Sequence, residues 1–344
     1  MNIIKQIGDS HCHLNPECTK EYIQEFIKQL NSTSDDYPDY YFHIMTTQHI
    51  DLYLLDQLLS QLNNPKLIVP YFGIHPWFSH LFTIDDIDSE NCSKEQKHNH
   101  YNKVLKPQPT QELLQCLPNP INLYNHLQSI RNIITKYPNL IYGIGEIGLD
   151  KLFRVPNDGY HGNFKYPIKG PHKLSPSRVI FEHQRIIFCE QLKLANELNK
   201  QISIHCVRGH GIVYDEFLKY QNIPAILLHS YTGTIEHANA WIRKFKKLKT
   251  GQKLYFSLSN YINGDEPKRE VLEQLLEALK DDQVLIETDI SVDRHFNTNT
   301  INEYLQQLID IYEKINSVKA IDANQIRKNL LTSIGLDNSP SIGL

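Results

Sequence analysis

The chain has 344 residues, 40% of them hydrophobic and 22% charged, with a formal net charge of −4. That length accommodates one large α/β barrel or two ordinary domains, and the mild acidity excludes a surface that is nucleic-acid footprint throughout. No stretch approaches the run of about 20 apolar residues that crosses a bilayer, and the opening "MNIIKQIGDS" lacks the basic start and long apolar core of a secretory signal. Six cysteines without CxxC spacing read as free thiols. The expectation is a cytoplasmic or nuclear protein that does not engage a membrane.

Short β-rich runs alternate with helical patterns in the manner of parallel βα units. Strands are expected at 3–9, 40–47, 67–74, 140–146, 202–206, 225–229, 253–258 and 284–289, and helices near 19–30, 50–62, 121–136, 177–200, 210–220, 234–247, 267–280, 299–316 and 322–331. Eight such strands suggest a TIM (β/α)8 barrel over residues 1–334, followed by a loose tail at 335–344. Two stretches break the rhythm. Residues 79–120 are polar and proline-punctuated and read as a mobile, irregular insertion. Residues 151–176 interleave Lys151, Arg154, Lys165, Lys169 and Lys173 with Phe153, Tyr160, Phe164 and Tyr166, a pattern equally suited to a decorated loop or to gripping phosphates and stacking bases.

The expected strand ends carry the chemistry. "GDSHCHLN" puts His11 and His13 two apart, hence on one face of an extended strand. Glu146 ends the fourth strand, His205 the fifth, His229 the sixth and Asp289 the eighth. The C-terminal rim of such a barrel carries the active site, so four histidines and two carboxylates recurring there read as a shared metal site. Singly, each could be a packed histidine or a helix cap; six at one rim are poorly explained that way. Two cations about 3.5–4 Å apart polarise a substrate oxygen and activate water between them. Glu146 is the natural bridge, and Asp289 the natural ligand and general base. Imidazole ligation favours zinc or manganese, while magnesium remains compatible with phosphate chemistry. Cys12 and Cys206, one position out of phase, are expected to face the barrel wall. Glu287, in phase with Asp289, is expected in the interior as a hydrogen-bond partner.

In order along the chain, "DSHCHL", "GIHPW", "GEIGLD", "IHC", "LHSYTG" and "IETD" resemble the motif series of the TatD-like metal-dependent hydrolases of the amidohydrolase superfamily, in a divergent fungal branch. The resemblance implies a TIM barrel with a divalent-metal site and DNA phosphodiester cleavage. It matches His11, His13, Glu146, His205, His229 and Asp289 to metal ligands and His75 to a histidine that contacts the substrate phosphate. A glutamate at 146, where other branches of the superfamily have a carboxylated lysine, favours the nuclease-like branch. Arg208, just past His205, is a candidate second phosphate contact, with helix capping as the alternative. Two departures alter the substrate-facing surface: "GLDKLF" stands for the common "GLDYY", and "HSYTG" for an "HCFSG"-like stretch. The expected function is a two-metal deoxyribonuclease that cleaves DNA from an end; the alternative keeps the site and changes the bond, giving an ester or amide hydrolase such as an aminoacyl-tRNA deacylase. A third alternative is a scaffold that binds a protein partner through its insertions.

Overall fold

A computed structural model describes residues 3–163, 165–166, 173–248 and 251–336. Phe164, Lys169 and most of the expected tail lie outside the described residues. Eight parallel strands follow one another around a barrel: β1 (Asp9–His13), β2 (Phe42–Met45), β3 (Ile68–Phe72), β4 (Gly143–Asp150), β5 (Ile202–Val207), β6 (Ala225–Leu228), β7 (Lys253–Ser259) and β8 (Val284–Glu287). The ring closes between the first and last strands. The Asp289 N–H donates to the His11 carbonyl at 3.0 Å, and the His13 N–H to the Ile290 carbonyl at 3.0 Å. Buried Asp9 strengthens the seam, accepting from Thr288 Oγ1 at 2.6 Å and from the Thr288 N–H at 3.1 Å. The TIM-barrel expectation holds.

Helices cover the outer wall, among them α1 (Lys20–Ser32), α2 (Asp51–Gln61), α3 (Lys94–Val104), α4 (Gln111–Cys116), α5 (Leu123–Lys136), α6 (Phe181–Leu198), α7 (His210–Phe217), α8 (Ile235–Lys247), α9 (Arg269–Ala278), α10 (Val292–Asn297), α11 (Ile301–Lys319) and α12 (Ala323–Ser333). On α6, Ile187, Leu192, Leu194 and Ala195 are buried against the wall, as an apolar stripe at helical spacing requires. At the bottom, Leu330 of α12 packs with Ala225, Leu227, Tyr255 and Leu285 from the inward faces of β6, β7 and β8. None of the described helices is long and apolar enough to cross a membrane.

Two expectations are corrected. Residues 3–9 are not the first strand: Ile3–Gln6 form a 3₁₀ turn, and pairing begins at Asp9, opposite Phe42. A short apolar run has no period of its own, so it reads alike for a strand and for a packed turn. The stretch 79–120 is not an irregular insertion. It contains α3, opened by a Ser93/Gln96 capping box, and α4, and it buries Tyr101, Val104, Leu105, Leu113, Leu114 and Leu117. It is also stitched to the second insertion, where the Asn163 side chain donates to the Cys116 carbonyl at 2.9 Å, and to the segment just beyond it, where Leu105–Lys106 pairs antiparallel with Arg178–Val179.

Candidate metal centre

The six expected ligands arrive at one place because each inward-facing position near a strand end points to the barrel axis. Their focus is the carboxylate of Glu146, buried in the mouth. Its Oε2 lies 3.4 Å from Nε2 of both His11 and His13. Its Oε1 lies 2.9 Å from His205 Nδ1, 2.8 Å from His229 Nε2 and 3.2 Å from His75 Nε2. Asp289 completes the first side, with Oδ1 3.1 Å from His13 Nε2 and 3.9 Å from His11 Nε2. One carboxylate therefore faces two separate groups of imidazole nitrogens.

The backbone makes this convergence possible through local irregularities. Pairing shifts register between Asp9 and Cys12 on β1 and between Ile144 and Ile147 on β4, re-aiming the side chains between them. Gly148, at φ +153°, lets β4 approach β5: a Cβ there would sit 1.8 Å from the His205 carbonyl oxygen. Ser230 and Asp289 both occupy positive φ, at +36° and +59°, conformations that cost free energy and cluster at functional sites.

Each of three rings is held from behind. His11 Nδ1 is 2.9 Å from Ser203 Oγ, His229 Nδ1 is 3.2 Å from Glu287 Oε1, and His205 Nε2 is 3.3 Å from Asp150 Oδ2. Such outer partners fix the ring and the tautomer that leaves the inner nitrogen's lone pair free. The expected interior role of Glu287 is thus met, and this carboxylate also accepts from the Ser230 N–H at 2.8 Å and the Ser230 hydroxyl at 2.7 Å. Ser230 is the serine in "HSYTG", and its hydroxyl additionally reaches Asp289 Oδ2 at 3.2 Å. This departure from the usual motif places a hydroxyl between two carboxylates of the site.

Charge follows the geometry. Burial pushes the Glu146 carboxyl up, but the imidazoles of His75, His229 and His11 outweigh it and hold the group ionised, well below its ordinary range. Asp289 is likewise held down against its burial by His229 and His13. For His205, hydrogen bonds to Asp150 and Glu146 overcome the effect of burial and raise its pKa to about 8. His75 behaves differently: burial dominates and lowers it to about 4, so it is neutral at pH 7. Its Nδ1 accepts the Trp77 N–H at 3.1 Å, which leaves the ring proton on Nε2, facing Glu146.

The donor set fits divalent cations. His11 Nε2 and His13 Nε2 are 3.2 Å apart, and His229 Nε2 and His205 Nδ1 are 3.4 Å apart, each pair beside a different oxygen of Glu146. Lone pairs brought this close repel unless a proton or a cation lies between them. Buried imidazoles with carboxylates suit zinc or manganese. Asp150 and Ser203 belong to the arrangement although sequence reasoning assigned them no role. Asp150 stands in the quoted "GEIGLD", but its partners His205 and Trp77 come from other strands and loops. Arg208 is not brought into the cluster: it is exposed beyond β5 at φ +55°, and no described residue bonds its guanidinium. Cys12 turns away from the site and donates to the His43 carbonyl, and all six cysteines are free.

Residues 8–334 match the family described as TatD related DNase. The chain belongs to the TatD family. It is 33% identical over 304 residues to the Cut9-interacting protein scn1 of Schizosaccharomyces pombe, covering 80% of this chain and 85% of that one. It is 33% identical over 258 residues to an uncharacterized deoxyribonuclease of Saccharomyces cerevisiae, covering 73% and 75%. The 3'-5' ssDNA/RNA exonuclease TatD of Escherichia coli is 26% identical over 152 residues, 43% of this chain and 45% of the other. Among solved structures, a TatD homolog from Escherichia coli superposes with a TM-score of 0.56 at 14% identity, covering 98% of this chain and 100% of that one, which supports the fold. As a TatD-family protein, the chain is a metal-dependent hydrolase of the deoxyribonuclease-like class acting on ester bonds.

Proposed function

We propose that this TatD-family chain hydrolyses phosphodiester bonds of DNA, from an end, at a site whose residues would hold two divalent cations around Glu146. The observation that carries the reading is the division of that carboxylate, Oε2 toward His11 and His13 and Oε1 toward His205 and His229. In this assignment His11, His13 and Asp289 would hold one ion and His205 and His229 the other, with zinc or manganese favoured and magnesium compatible. When bound, the ions supply Lewis acidity and neutralise charge developing on phosphoryl oxygens. Asp289, kept ionised by its imidazole neighbours, accepts the proton of the attacking water. Neutral His75 offers its Nε2–H to a phosphoryl oxygen, and Arg208, exposed at the same rim, gives a bidentate contact to the substrate backbone.

The test is a parallel assay of the metal-loaded protein on end-labelled DNA and on aminoacyl esters. Stepwise shortening of DNA supports the reading; ester cleavage with inert DNA replaces it by the acyl-hydrolase alternative. Protein binding is a second role, favoured by the name of the fission-yeast relative, and the insertions at 79–120 and 151–176 are the surfaces to test, the packed segment 79–120 first. A partner retained by a Glu146→Gln protein and lost on replacing that segment supports it. Cytoplasm or nucleus is the proposed location, to be checked by imaging a tagged chain.

A further inference from the structure

Trp77 stands two residues after His75 in "GIHPW" and is 36% exposed at the mouth of the barrel, an unusual position for an indole. It is not loose there. Its Nε1–H donates to Asp150 Oδ2 at 2.7 Å, the same oxygen that lies 3.3 Å from His205 Nε2. Phe153, buried and drawn from the start of the 151–176 insertion, stacks on the indole with centroids 5.3 Å apart and planes at 13°. The ring is edge-on to His75 at 5.0 Å and to His205 at 6.3 Å, both of which face Glu146 Oε1.

We propose that Trp77, backed by Phe153, is a stacking platform for a nucleobase of the substrate strand adjacent to the bond being cut. The inference rests on the nuclease reading and assigns it a base subsite. An aromatic ring backed by Phe153, flanked by His161 at 5.5 Å, fixed at its edge by a buried carboxylate and more than a third exposed beside a phosphate-handling site offers a base a preordered π-surface that loses little entropy on binding. It also gives a role to Phe153, the first aromatic of the 151–176 pattern. The basic half is otherwise engaged in part, since Arg154 donates to the Ser175 and Leu174 carbonyls and Lys151 lies over the Phe181 ring. Because every base has a π-face, the platform accepts all four bases and requires only that one be unstacked. Through Asp150, the residue under the base also touches the carboxylate that orients His205, so a platform variant reaches the metal side of the site.

The chain has two tryptophans, and the other, Trp241, is 1% exposed. A change in tryptophan emission on adding an oligonucleotide therefore reports on Trp77 rather than on the buried Trp241. In EDTA, a short single-stranded oligodeoxyadenylate is expected to quench the emission, whereas an oligonucleotide of equal length with abasic sugars is not. By anisotropy of a labelled oligonucleotide, Trp77→Ala is expected to weaken binding roughly tenfold to a hundredfold. Trp77→Phe, which keeps the π-face and loses the Asp150 hydrogen bond, is expected to retain most of the affinity while lowering kcat, and it guards against a folding defect in the alanine variant. Equal affinity for base-bearing and abasic strands, or wild-type affinity in Trp77→Ala, overturns the platform while leaving the nuclease reading intact. A wild-type protein that neither binds nor cleaves DNA overturns both.

Discussion

The two ends of the barrel are built from the same strands and differ within two residues. On β6 and β8, Leu227 and Leu285 join Leu330 in the apolar plug at the bottom, and one inward position further along, His229 and Glu287 hydrogen-bond to each other at 3.2 Å. The lower layer gains by removing hydrocarbon from water, and its side chains ask nothing of their neighbours beyond volume. The upper layer buries histidines and carboxylates that are costly unless each finds a partner or an ion. Stability is therefore concentrated below and chemistry above, and substitutions at the two ends should separate cleanly.

The largest effect is expected above. Glu146→Gln keeps the shape but removes the charge that both imidazole groups face, and hydrolysis should fall by orders of magnitude with the circular dichroism spectrum unchanged. Leu330→Ala is its counterpart below: it should lower stability by about 2–5 kcal/mol in denaturant titrations, with kcat and KM unaltered at temperatures where the protein is folded. A result that mixed the two, a Leu330 variant with altered kcat, would break the division. Asp150→Asn should reduce metal affinity or activity about 10- to 100-fold, because it weakens the group behind His205. Ser203→Ala, which removes only the hydroxyl behind His11, should cost a smaller factor, on the order of fivefold for a hydrogen bond of about 1 kcal/mol. The smallest change lies away from both ends. Ser93→Ala, which deletes the α3 cap, should cost about 1 kcal/mol of stability and leave hydrolysis untouched.

The same contrast explains what could be read in the sequence. Placement at strand ends brings His11, His13, Glu146, His205, His229 and Asp289 to one rim once the strands are recognised, because an inward position repeats without reference to the rest of the chain. The motif series adds His75 and the family. The start of β1 is not legible in the sequence because Ile3, Ile4 and Ile7 suit a strand and a packed turn alike. The 79–120 segment hid its helices because α3, "KEQKHNHYNKV", is polar on most of its surface and buries little beyond His100, Tyr101 and Val104. Asp150 and Ser203 escaped for a different reason. Their roles are defined by ring nitrogens 55 and 192 residues away, a distance no local pattern encodes. The stack of Trp77 on Phe153 likewise joins two loops that only the barrel brings together.

The central claim is that the upper layer is a two-ion centre organised by Glu146. Metal content of the dialysed protein, measured by inductively coupled plasma mass spectrometry for the wild type and for Glu146→Gln, tests it most directly. The account predicts two divalent ions per wild-type chain and loss of at least one in the variant. A wild-type chain that binds none after incubation with zinc or manganese, or a variant that retains both, would contradict it.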